Sequence, residues 1–474
     1  MKKTLLTFAI ASAALTFSLT VCAQAQTFST LASFDGVNDS SPFDSLIQST
    51  NGNFYATSLG GANREGTVFE LTPEGKVTNL YNFCSLTNCA DGAYPEAPLI
   101  LGADGDFYGT TAGGGANDNG TIFKLTIDGK LTTLHSFCSL SSCADGYGTA
   151  GLIQARNGNF YGTLSNGGAN SGGVFFELTR SGTFKVLYNF CSLSNCADGR
   201  LPYAAPIEAT NGNFYGTTSY GGRGTGAGVV YEITPAGTYR VLYAFCSQTN
   251  CADGGRPNGL AQDARGNLYG TTSHGGGICS NNGCGTIFKI TPANQYFVLH
   301  AFEGGDGDEP GAGLAAANDG NLYGITWSGS GGGGNIFSIT PEGIFTSLYS
   351  FCSEEGCIQP RPNRLFEGTN GVLYGTTQEG GQSNAGETFS LSNNLSPLVE
   401  PVPTAGKVGK KVLILGNGLT GSTSVTFNGV EAAFTVVSDT FIKATVPAGA
   451  TTGMVSVVTP SGALNSNPQF VVTK

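Results

Sequence analysis

One octapeptide, Asn211-Gly-Asn-Phe-Tyr-Gly-Thr-Thr218, is stated in variant form seven times along the chain. Its Tyr falls at Tyr55, Tyr108, Tyr161, Tyr215, Tyr269, Tyr323 and Tyr374, with gaps of 53, 53, 54, 54, 54 and 51 residues. A fixed period of this size marks a repeat architecture in which one supersecondary unit recurs. The third unit shows four strand signals, at 151–155, 159–163, 174–178 and 183–190, each rich in β-branched and aromatic residues and bounded by Gly, Asn or Ser. Asn157-Gly158 reads as a type I′ hairpin turn between the first two. Thr-Pro-x-Gly, as in Thr72-Pro-Glu-Gly75, turns the third strand into the fourth.

Four antiparallel strands repeated seven times predict an all-β, seven-bladed β-propeller. Face-to-face blade packing then explains outer strands that are apolar on both faces, as at Leu187, Tyr188 and Phe190. The seventh unit lacks a fourth strand after Phe389-Ser-Leu391. The segment Phe28-Ser-Thr-Leu-Ala-Ser-Phe34 matches the missing one, so the two ends are expected to share a blade and leave no sheet edge exposed. Strand parity puts the short Asn-Gly and Thr-Pro-x-Gly turns on one face of the disc. The long Gly-rich loops and the cysteine-bearing loops share the other, where variation is cheap and binding is expected. The period stops near Ser396. Residues 397–403 read as a linker, and runs at 412–415, 424–427, 442–446 and 455–458 as strands of a small immunoglobulin-like sandwich. The predicted division is a signal peptide at 1–25, the propeller at 26–395 and the sandwich at 396–474.

Met1-Lys2-Lys3 followed by the apolar run 5–21 has the form of a secretory signal, with Ala23-Gln24-Ala25 as a cleavage site. A lipoprotein signal ending at Cys22 competes, but Val21 is bulky for the position before the modified Cys. Cleavage would leave no membrane-spanning run. It would also take the formal charge from −11 to −13 by removing Lys2 and Lys3. Such acidity argues against a nucleic-acid partner, which needs a basic patch. The other twelve cysteines form C-x4-C pairs: Cys84/Cys89, Cys138/Cys143, Cys191/Cys196, Cys246/Cys251, Cys279/Cys284 and Cys352/Cys357. One inter-blade loop, 303–310, has lost both members. Gain and loss in pairs predicts local disulfides and an oxidising compartment. Structural zinc would need four convergent ligands, and no His lies near most pairs.

The repeat Asn-Gly-Asn-Phe-Tyr-Gly-Thr, followed by Gly-Thr-Val/Ile-Phe and Leu-Tyr-x-Phe, resembles the GloVer tandem repeat of bacterial exported "choice-of-anchor" proteins over residues 28–395. The resemblance implies a secreted or surface-displayed propeller and brings no catalytic residues with it. Gly409-Lys-Lys-Val-Leu-Ile-Leu-Gly416, Val425-Thr-Phe-Asn-Gly429 and Ala444-Thr-Val-Pro447 resemble an IPT/TIG domain, which in exported bacterial proteins serves as a spacer or adhesive module.

Candidate site residues are those where one blade departs from its siblings. Tyr220, His274 and Trp327 take nearly corresponding places in the Gly-rich loops of blades four to six, where earlier blades have Leu59, Ala112 or Asn166. Asp306, Asp308 and Glu309 replace a disulfide nearby. Together they suit a sugar, or they are drifted surface residues. The recurring Asp of the cysteine loops (Asp91, Asp145, Asp198, Asp253, Asp306) either caps its own turn or rings the channel mouth. Gln48, Gln154, Glu208, Gln262 and Glu367 either satisfy backbone groups or line the channel. His135 and His300 stand where other blades have Tyr and read as packing substitutions. With three histidines and no repeated metal spacing, no metal or cofactor is expected. The functional expectation is a monomeric extracellular binding or adhesion module for a glycan or surface protein. A carbohydrate-active hydrolase or lyase using the same face is the alternative.

Overall fold

The computed structural model describes residues 26–36, 39–148, 151–222, 226–277, 283–329, 332–351, 361–467 and 469–473. The expected signal segment, Cys279, and the Cys352/Cys357 pair lie outside the described residues. Seven antiparallel sheets follow one another along the chain and form the blades of a propeller. In the third blade the strands are Leu152–Gln154, Phe160–Leu164, Val174–Leu178 and Phe184–Asn189, paired in sequence order. The innermost strands are short, and in the sixth blade the inner edge is split into Asp308–Pro310 and Ala315–Ala316.

The core lies between blades, not within them. The second and third strands are buried on both faces, whereas the outer strands are half-exposed. The sequence reading placed two-sided burial on the outer strand; Leu187 and Tyr188 are only partly covered, and fully buried Phe190 follows the strand. Aromatic rings pair across each junction. Tyr188 stacks on Tyr239 at 4.1 Å and Tyr243 on Tyr296 at 3.8 Å. His135 stacks on Phe184 and His300 on Phe345, both at 4.1 Å, so these two histidines are packing substitutions for Tyr.

The ring is closed by the N-terminal segment. Thr27–Ser33 pairs antiparallel with Glu387–Ser392, and Phe28 stacks on Tyr349 at 3.9 Å as the junction aromatics do elsewhere. A second repeated bond closes at the same place. A second-strand Thr hydroxyl donates to a main-chain carbonyl entering the next blade: Thr163 to Ala204, Thr217 to Asn258, Thr271 to Ala312, and across the closure Thr376 to Asp44 at 3.0 Å.

The repeated octapeptide forms a polar knot at the turn face. In the first blade Asn51 Nδ2 donates to the Tyr55 hydroxyl, which donates to Glu70 Oε1 at 2.6 Å; Asn53 Nδ2 holds the same oxygen at 2.7 Å. Only the Gly of each Asn-Gly pair takes a positive φ, 85° at Gly158, so the turn is not type I′. Gly158 N–H donates to Ala155 O, closing a type I turn with a glycine bulge, and the Asn side chain is free to bond Tyr161. Blades with Asp at this turn obtain their carboxylate there instead: Asp104, Asp263 and Asp319 accept from Tyr108, Tyr269 and Tyr323. Their third strands then carry Lys124, Lys289 and Ser338 where blades one, three and four have Glu70, Glu177 and Glu232.

The C-terminal tail is an immunoglobulin-like sandwich. One sheet orders Glu400–Val402, Lys411–Leu415, Phe441–Thr445 and Phe434–Ser438; the other orders Val430–Glu431, Ser424–Phe427, Val455–Thr459 and Gly462–Asn465. Val412, Ile414, Val425, Phe427, Ile442 and Val457 fill its core. The segment expected to be a linker contains the strand Glu400–Val402, which joins the first sheet as its edge. The tail docks on the turn face of the propeller. Thr440 Oγ1 donates to Thr50 O at 2.8 Å and Asn467 Nδ2 to Ala316 O at 2.8 Å, while Leu101 packs against Val402, Leu415 and Phe441.

Candidate functional site

The cysteine loops and Gly-rich loops do share one face, and they clamp each other. Cys84–Cys89, Cys138–Cys143, Cys191–Cys196 and Cys246–Cys251 are disulfides, and Cys284 is also disulfide-bonded. Each described bridge sits on a short 3₁₀ turn, and Cys89 O accepts from Gly115 N–H of the neighbouring Gly-rich loop at 2.8 Å. The recurring Asp caps this turn. Burial pushes the Asp91 carboxyl up, but hydrogen bonds from Tyr81, Ser85 and the Leu86 N–H outweigh it and hold the group below the usual carboxylate range.

Asp306 does the same work without a disulfide, accepting from Glu303 N–H and facing His300 Nε2 at 2.7 Å. Of the other candidates, Tyr220 lies between two guanidinium groups, with Arg200 at 5.7 Å and Arg256 at 4.9 Å from its ring centre. His274 follows one blade on, its Nδ1 3.0 Å from Ser273 Oγ. Burial, and then the charge of Arg256, hold this imidazole below its ordinary pKa; Asp308 opposes them. One oxygen of Asp308 is buried without a hydrogen-bond partner among the described residues. Arg256 therefore links Tyr220 to His274, and Asp308 lies at the far side. Glu309 is exposed, in a left-handed conformation with φ 49°. Trp327, 41% exposed, lies over Gly311 and fills the space a Cβ would need there. It is one residue out of step with Tyr220 and His274, and it lies in the second strand, Leu322–Ser328, not in the Gly-rich loop where the sequence placed it. Arg200 and Arg256 were missed in the sequence; the signal was an Arg soon after the Asp-Gly of the cysteine loop in two successive blades.

The central channel is a second concavity, of about 890 Å³, walled by the inner strands of all seven blades. Tail residues Glu400, Thr404, Asn467 and Val471 line its turn-face end. The Gln/Glu column is mostly occupied with backbone. Gln154 accepts from Ala103 N–H, Glu208 from Arg156 N–H, Gln262 from Thr210 N–H, and Gln48 from Thr369 N–H across the ring closure. Less satisfied are Asp44, which accepts from its own neighbour Ser45 N–H, and Arg364, whose Nη2 lies 3.5 Å from Leu314 O. Burial lowers the Arg364 pKa and raises that of Asp44; each feels the other's charge without forming an ion pair. Burial also pushes Glu400 to about 7, and Glu367 to about 7 with help from Asp319 and Glu400. No group of three or more metal-ligating side chains occurs among the described residues.

Repeat and tail together define a propeller of tandem repeats carrying an immunoglobulin-like module. The sequence profile of the Gloeobacter/Verrucomicrobia repeat matches residues 11–204 and 192–389, and that of the IPT/TIG domain matches residues 399–472. The chain belongs to the Gloeobacter/Verrucomicrobia repeat family. No curated protein matches it. Among solved structures, a streptogramin B lyase is similar at 16% identity and TM-score 0.52, covering 79% of this chain and 99% of that one. The extracellular domain of a hybrid two-component system from B. thetaiotaomicron is similar at 12% identity and TM-score 0.49, over 95% of this chain and 59% of that one. A fungal alcohol oxidase is similar at 12% and 0.49, over 94% and 99%. The likeness to the lyase is one of fold. No helix among the described residues is long and apolar enough to cross a membrane.

Proposed function

We propose that the protein is an extracellular binding or adhesion module that recognises a glycan on the Gly-rich loop face. The reading is carried by the patch Arg200–Tyr220–Arg256–His274 beside exposed Trp327, confined to blades four to six. Aromatic faces stack on sugar rings, and guanidinium and carboxylate groups fix hydroxyls and acidic substituents. The signal-like first 25 residues, the disulfides and the repeat family support an exported setting. A glycan screen tests the reading. A bound glycan should shift Trp327 emission, and Trp327→Ala should weaken binding by about 1–3 kcal/mol, as for losing a well-covered aromatic contact. Binding with unchanged emission and undiminished by that substitution would move the site elsewhere. New reducing ends or unsaturated sugars during incubation would make the protein a hydrolase or lyase instead.

A further inference from the structure

We propose that the central channel is a separate internal site for a small monoanionic sugar, of the hexuronate class. The inference does not rest on the loop-face reading. The cavity of about 890 Å³ is of the size that takes small molecules. Recessed in its wall, Arg364 has a single long bond to a carbonyl and no ion pair among the described residues. Half-buried in the wall, the guanidinium keeps donors open to the cavity, and its planar fork matches one carboxylate in bidentate fashion. Asp44 beside it, and Glu400 at the tail-covered end, present carboxyl oxygens for hydroxyls. The same acids repel phosphates and other polyanions, which leaves a ligand with one carboxylate and several hydroxyls. Tyr203, in blade four, faces blades one and seven across a seven-bladed ring and is 53% exposed although it lines the channel. It supplies a face for the sugar's C–H surface. Ala204, Gly259 and Gly313 keep the intervening wall shallow.

Calorimetric titration of the full chain with galacturonic acid, glucuronic acid, their neutral methyl esters and L-alanine tests this. Saturable binding of a uronic acid is expected, weakened about tenfold or more by esterification and by Arg364→Gln. Tyr203→Ala, at an exposed position that does not threaten folding, should weaken it several-fold with an unchanged melting temperature, and Trp327→Ala should leave it intact. The proposal is overturned if no uronic acid binds, if esters and Arg364→Gln bind equally well, or if L-alanine binds in their place. Loss of uronate binding on Trp327→Ala with retention in Arg364→Gln would overturn it too, while upholding the loop-face reading.

Discussion

The two faces of the disc are built by opposite rules. On the turn face, each blade ties its Tyr hydroxyl, and six of the seven do so with one carboxylate, drawn from the third strand in blades one, three and four and from the turn in blades two, five and six. The source of the charge changes, but the knot does not. On the loop face, a turn-capping Asp recurs at Asp91, Asp145, Asp198, Asp253 and Asp306, and the residues beside it differ from blade to blade: Gly113, Asn166, Tyr220, His274, Ser328 and Glu379. A face held by satisfied buried polar groups cannot drift without cost, whereas one held by main-chain bonds between Gly-rich loops can. The tail covers the constrained face and leaves the variable one open.

The largest effect should come from the closure, which both faces share. Deleting residues 26–40 removes the outer strand of blade seven, the Phe28–Tyr349 stack and the partner of Glu387–Ser392. The exposed edge and lost core should destabilise by more than about 4 kcal/mol, seen as loss of cooperative melting and as aggregation. A truncated protein with an unchanged melting temperature would show that the ring is held some other way.

Next comes the turn-face knot. Tyr161→Phe leaves Asn157 Nδ2 and Glu177 without their shared partner and should cost about 1–3 kcal/mol in denaturant unfolding. Tyr220→Phe, on the loop face, should cost less than about 0.5 kcal/mol. Equal losses would erase the distinction between the faces. Of similar size is the disulfide clamp: Cys138→Ser with Cys143→Ser should cost about 2 kcal/mol, since the closed loop is only about six residues. Non-reducing peptide mapping should find bridges only between cysteines five apart, Cys279–Cys284 and Cys352–Cys357 included.

The blade count, the ring closure and the assignment of loops to faces were legible because each is written as a period. The Asn-Gly turn was misread because its alternatives differ only in the φ of Asn, which nothing local specifies; the deciding bond reaches Tyr161 two strand residues later. The docking of the tail was invisible, since Leu101, Thr440 and Asn467 are ordinary residues until two domains meet. Arg364 was passed over because its column elsewhere holds Gly259 and Gly313, and a lone charge in a strand start has no periodic signal.

A smaller effect is expected where the tail covers the turn face. Glu400 and Glu367 have carboxyl pKa values raised from 4.5 to about 7, mainly by burial. A raised acid contributes stability that is complete below its unfolded pKa and is lost as pH rises through the folded value. The capping carboxylates, Asp91, Asp145 and Asp198, are lowered and act in the opposite sense, losing their contribution as pH falls below the ordinary 3.8. Melting temperature should therefore be highest near pH 5 and fall by a few degrees towards pH 8. Glu400→Gln should flatten that decline, and a decline of unchanged slope would mean that the tail acids do not set it.

The smallest effect belongs to the loop face itself. Trp327 is exposed on one side and rests on Gly311 with the other, near the end of the second strand, Leu322–Ser328, where its neighbours Thr326 and Ser328 pair with Pro310 and Asp308. Removing the indole uncovers little core, so Trp327→Ala should change stability by less than about 0.5 kcal/mol. The converse substitution is more informative. A Cβ at Gly311 meets the indole directly, and because the ring has solvent on its outer side it can swing away without disturbing the blade. Gly311→Ala should therefore shift Trp327 emission towards that of a solvated indole while leaving the melting temperature nearly unchanged. If melting instead falls as far as it does for Tyr161→Phe, the indole is part of the blade's core and the loop face is not the unconstrained side of the disc.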